Sequence, residues 1–89
     1  MRIEFDTTKD RLNIDKHGVS LNEAGALEWD AGLTWDDTRK DYGEPRQCGL
    51  VPIGARLYHV VFVERGSHRR IISLRKANRR EVKRYADQD

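Results

Sequence analysis

The chain is poor in the residues that build specialised small proteins. Cys48 is the one cysteine among 89 residues, so no internal disulfide can form, and both cystine-stapled scaffolds and cysteine-rich zinc modules are excluded. The three histidines, His17, His59 and His68, lack the close pairing of zinc motifs, and there is no glycine-rich phosphate loop. No metal or other cofactor is therefore expected. No apolar run approaches the roughly 20 residues of a membrane span, and the opening Met-Arg-Ile-Glu-Phe-Asp has no signal-peptide core. The expected setting is the cytoplasm, with no membrane partner. Repeats, linkers and low-complexity tracts are also missing, which leaves a single domain, 1–89. A domain this small has a thin core, so its large apolar residues are assigned first to packing.

Charge is what the chain has in abundance. The formal net charge is +2, yet residues 1–45 carry a balance of −5 and residues 46–89 one of +7. Between Arg65 and Arg84 nine cations face one acid, Glu81. A field this one-sided points to a polyanionic partner.

Ile3 and Phe5 alternate with Arg2 and Glu4 as a short first strand. A helix follows from Lys9 to His17, with Thr7 or Thr8 as its cap and Gly18 as its stop. Ser20 and Glu23 form a capping box for a second helix, in which Leu21, Ala24 and Leu27 show the spacing. Leu33 and Trp35 alternate as a strand, and Asp36 to Pro45 is a polar loop. Arg46–Ile53 and Arg56–Glu64 flank Gly54-Ala55 as a hairpin with a type II′ turn. The second of these strands is apolar on both faces, so it is central, while Pro52 confines the first to an outer place or a bulge. Arg69–Arg75 is a further strand, whose alternation puts Ile72 and Leu74 with Arg70 on one face, and Ile71, Ser73 and Arg75 on the other. A last helix runs from Asn78 to about Ala86, with Glu81 completing a capping box and Val82 and Tyr85 turned to the core or its border. The order β-α-α-β-β-β-β-α describes an α+β domain: an antiparallel sheet with two N-terminal helices and one C-terminal helix.

Three groups could carry chemistry. The strand end at Arg75 and Lys76, with Arg79, Arg80, Lys83 and Arg84 on the last helix, offers guanidiniums suited to bidentate phosphate binding, although such a run can also be a solvated helix face. Lys16-His17 ends the first helix, where an imidazole could move a proton during 2′-hydroxyl attack on a phosphodiester or simply bond the last carbonyls. Asp41-Tyr42-Gly43-Glu44-Pro45-Arg46 gathers acids, a phenol and a guanidinium in one loop, which needs no function to be polar. Trp29, Trp35 and Phe62 could stack on bases but fit a core equally well, and His59 reads as a core histidine.

Three ordered motifs also resemble the BrnT family of type II toxins: Phe5-Asp6-x-x-Lys9-x-x-x-Asn13-x-x-Lys16-His17-Gly18-Val19-Ser20, then Asp37-x-Arg39-x-Asp41-Tyr42-Gly43-Glu44-x-Arg46, then Arg70-Ile71-Ile72-Ser73-x-Arg75-x-Ala77 with Glu81 and Tyr85. The resemblance implies a RelE-like ribonuclease fold and metal-independent RNA cleavage that halts translation. It also implies a BrnA-like antitoxin encoded nearby, whose DNA-binding part would supply any operator contacts, so that DNA is met only through the complex. On this reading Arg46 and Arg75 stabilise charge, worth about 3 to 4 kcal/mol each. His17 is the proton carrier, with Glu44 or Tyr85 sharing the work, and Lys16, Lys76, Arg79, Arg80 and Lys83 bind RNA. Cys48 and His59 lie outside the motifs and receive no role. The alternative is a non-catalytic module whose basic surface docks RNA or an acidic antitoxin segment.

Overall fold

The computed structural model describes residues 2–39 and 41–88. Five strands form one sheet in the order β1-β5-β4-β3-β2, with β1 Arg2–Glu4, β2 Leu33–Asp36, β3 Gln47–Ile53, β4 Arg56–Arg65 and β5 His68–Lys76. The helices are α1, Thr7–His17, and α2, Arg79–Asp87. The expected β3–β4 hairpin is present, and β4 and β5 form a second one. Gly54 (φ 58°) and Gly66 (φ 61°) open the β3–β4 and β4–β5 turns, and no other residue type has positive φ among the described residues. A turn with one positive φ, at its first central residue, is type II′. Pro52 lies beyond the end of β2, whose pairing with β3 begins at Leu33–Leu50, so its missing N–H leaves no rung of the ladder empty. No helix of the described residues is long and apolar enough to cross a membrane.

The sheet departs from the expected all-antiparallel arrangement, because β1 runs parallel to β5 through Arg2–His68, Ile3–Arg69 and Glu4–Arg70. Alternation in three residues specifies a strand but not its neighbour. The second N-terminal helix is also different: Leu21–Ala26 winds as a 3-10 helix capped by the Ser20 hydroxyl, which accepts from the Asn22 amide. Leu21, Ala24 and Leu27, spaced by three, are all buried, a period that matches 3.0 residues per turn better than 3.6. The first helix is capped by Asp6 rather than by Thr7 or Thr8, its carboxylate accepting from the Thr8 and Lys9 amides.

A bulge between Val61 and Phe62 corrects the expected faces of β5. Ser73 pairs with Val61 and Ile71 with Phe62, so Ile72 has no partner and the alternation resets. Ile71 and Leu74 consequently share the core with Val51, Val60, Phe62, Val19, Leu21, Ala24 and Leu27. Register places Leu33, Trp35, Cys48, Leu50, His59, Val61, Ser73 and Arg75 on the opposite face.

β1 reaches only the first half of β5, and Asn13 of α1 caps the remaining open edge. Its amide donates to the carbonyls of Leu74 and Val19, at 2.8 Å each, while its oxygen accepts from the Leu74 N–H at 3.3 Å. One buried side chain thus stands in for a strand. Asn13→Ala leaves these backbone groups unpaired in a dry edge and should cost about 3 kcal/mol, read as a fall in unfolding midpoint with a normal denaturant slope. A loss below about 1 kcal/mol would contradict this role.

Candidate active site

The sheet face opposite the main core carries an unusual group for a small domain. His59 in β4 lies directly across from Arg75 in β5, and β3 continues the same rung at Leu50. The capping box that starts α2 at Asn78 then brings Glu81 over this rung. The Glu81 carboxylate accepts two parallel bonds from Arg75 Nη1 and Nη2, both 2.8 Å, and one from the Asn78 amide at 2.9 Å. Bonding to Arg75 holds the Glu81 carboxyl down at about 2. His59 Nε2 stands 4.0 Å from Glu81 Oε2. Burial, followed by the Arg75 charge, lowers the His59 pKa, so the ring is neutral at pH 7.

Aromatic contacts complete the face. Trp35 meets His59 edge-on, with ring centroids 6.1 Å apart, and Arg84 of α2 lies 4.1 Å over the Trp35 ring. Farther along, Asp37 is almost wholly enclosed and is paired by both oxygens with Arg39, which holds it at about 2. Burial pushes the nearby Cys48 thiol up, leaving it an unreactive neighbour. No group of three or more metal-ligating side chains converges among the described residues.

Of the residues nominated from sequence, Arg75 sits at the centre of this face. His17, at the end of α1, adjoins it: its pKa is lowered by burial, then by Lys16 and Arg75. Arg46 and Glu44 are elsewhere. Arg46 precedes β3, and its carbonyl accepts from the Asp37 amide. Four residues separate it from Leu50 on the Arg75 rung, about 13 Å of extended chain. Its guanidinium stacks 3.9 Å over Tyr42, its Nε is buried without a hydrogen bond, and Glu44 pairs with Arg65 at 3.1 Å. The Tyr85 hydroxyl donates to the Ala31 carbonyl at 2.5 Å, which makes it a tether for α2. Val82 is 47% exposed rather than turned to the core, and α2 buries no residue.

The cation surplus is smaller in space than along the chain. Arg65, Arg69 and Arg70 pair with Glu44, Glu64 and Glu4, while Lys83 pairs with Asp87. Lys16, Lys76, Arg79 and Arg80 are exposed without an ion-pair partner among the described residues. Much of the first motif is structural: Asp6 and Gly18 cap α1, Asn13 closes the sheet edge, and Ser20 bonds to Asp10 while capping the 3-10 turn. His59 is the functional candidate that sequence reasoning missed, since its partnership with Arg75 exists only through strand register.

An α+β fold bearing a His–Arg–carboxylate cluster, with exposed cations at the start of the helix that supplies the carboxylate, is suited to phosphodiester chemistry. Residues 5–81 match the family described as the ribonuclease toxin, BrnT, of type II toxin-antitoxin systems, and the chain belongs to that family. No curated protein matches it.

Proposed function

We propose that this chain is the toxin of a toxin–antitoxin pair and a metal-independent endoribonuclease of RelE-like fold that stops translation in the cytoplasm. One observation carries the reading: Arg75 and His59 share a rung of a sheet face beside Trp35, and the helix that brings Glu81 onto this rung starts with the exposed cations Arg79 and Arg80. In the reaction, the 2′-oxygen of a ribose attacks the adjacent phosphorus and the 5′-oxygen leaves. Arg75 supports the charge that builds on the phosphorane oxygens, and a neighbouring imidazole, His17 or His59, handles the proton. The remaining nominees take flanking places. Arg46 and Glu44 stand away from the rung, engaged with Tyr42 and Arg65, while Tyr85 holds α2 over the face and Lys16 and Lys83 extend the RNA path. A BrnA-like antitoxin, itself the DNA-binding member, would cover this face with an acidic or amphipathic segment.

Incubating purified protein with RNA in EDTA tests the reading. Cleavage supports it; tight binding with intact RNA would favour the non-catalytic module instead. Salt dependence locates the RNA path. A single strand weakens with a log–log slope of about −0.7 per phosphate neutralised, so Arg79→Ala should flatten the slope by about that amount. Lys83→Ala should do less, because Asp87 already shares its charge. Unchanged slopes in both would move the path away from α2.

A further inference from the structure

We propose that His59 is the catalytic residue that accepts the 2′-hydroxyl proton, and that Glu81 is the positioning residue that fixes Arg75 beside it and supports the imidazolium. This inference rests on the ribonuclease reading and deepens it.

An arginine has five N–H donors, and Glu81 engages one on each terminal nitrogen of Arg75. A second donation from Nη1 goes toward the Lys76 carbonyl, at 3.4 Å. The edge made by Nε–H and the remaining Nη2–H is left over, and its two parallel donors match the bidentate geometry of a phosphate. Glu81 therefore orients Arg75 without using up the edge that a phosphodiester takes.

The imidazole is fixed by the same cluster. Trp35 packs edge-on against it, and the side chain is only 12% exposed, so its plane is set. Across the strands stands Arg75, and above stands Glu81, with Nε2 at 4.0 Å from its carboxylate. That gap is longer than a hydrogen bond, so Glu81 does not occupy the proton-accepting position. It is still short enough for the carboxylate to stabilise the charge that appears once Nε2 is protonated. Four charged groups act on the ring: Arg75 and Arg39 oppose its protonation, and Glu81 and Asp37 favour it. His17 has no comparable setting. It sits beside Lys9, Lys16, Leu12 and Ser73, where no aromatic ring or carboxylate among the described residues orients it.

The 2′-oxygen bonds to phosphorus as its proton passes to His59 Nε2, the bond from phosphorus to the 5′-oxygen breaks, and the departing oxygen takes a proton from water. The products are a 2′,3′-cyclic phosphate and a 5′-hydroxyl, and the imidazolium returns its proton to solvent.

The test uses the full chain in EDTA, with single-turnover cleavage of one labelled RNA from pH 5 to 9, RNA binding, and thermal unfolding. His59→Gln should lose about 100-fold or more in rate, bind RNA within about threefold of wild type, and lose the acidic inflection of the pH–rate profile. Glu81→Gln should cut the rate about tenfold and move that inflection to lower pH, because a charge that favours protonation is gone. A merely structural role would leave the inflection in place. If His59→Gln does not fold, the shift in Glu81→Gln decides the matter. A folded His59→Gln protein with wild-type rate and profile overturns the proposal, and so does a faster Glu81→Gln enzyme, which would make Glu81 a plug on Arg75. Wild-type protein that cleaves nothing would instead refute the ribonuclease reading beneath it.

Discussion

Arg75→Ala should cut RNA cleavage by about 100-fold or more, the cost of one preorganised donor to developing charge, while RNA binding falls much less. The arginine emerges from the end of β5 onto the sheet face, 30% exposed, so truncating it opens no core cavity. Its loss does strand the Glu81 carboxylate and release one tether of α2. The stability cost should therefore be about 1 kcal/mol, in the range of a partly exposed ion pair, and far too small to explain a 100-fold loss of rate. Arg75→Lys should recover only part of the activity, since an ammonium keeps the charge without the planar fork. Single-turnover rates beside thermal unfolding for the three proteins separate these effects. A folded Arg75→Ala protein with full activity would remove Arg75 from the chemistry, and a loss that only tracks unfolding would make it structural.

The second large effect concerns the partner. Expression of the chain alone should arrest growth, and co-expression of the protein encoded beside it should restore growth, because an inhibitor that covers the Arg75 face blocks both binding and chemistry. The same complex should protect RNA from cleavage in vitro. A neighbouring protein that neither binds the chain nor relieves its toxicity would overturn the proposed pairing.

Local chemistry made much of the fold legible. The Gly18 stop, the Asn78–Glu81 capping box, both faces of β4 and the Gly54 turn follow from residues a few positions apart. What sequence left hidden depends on distant pairing. The parallel partner of β1 and the bulge opposite Val61 cannot be read from alternation within one strand, and that bulge exchanges the faces of Ile71 and Ile72. The same limit governs the site. His59 sits in an apolar run and looks like core until register sets Arg75 across from it. Glu4, Glu44 and Glu64 lie outside or at the edge of the basic stretch, so the neutralisation of Arg70, Arg65 and Arg69 is visible only in space. Asn13 falls within the stretch that matches the family, yet its two-sided bonding to Leu74 marks it as a structural plug.

On the proposed chemistry, this sheet face cleaves RNA through the 2′-hydroxyl without metal. The most direct measurement is the chemistry of the ends left when purified protein acts on a labelled RNA in EDTA. Each cut should carry a 2′,3′-cyclic phosphate and a 5′-hydroxyl; intact RNA, or cuts bearing a 5′-phosphate and a 3′-hydroxyl, would rule this chemistry out.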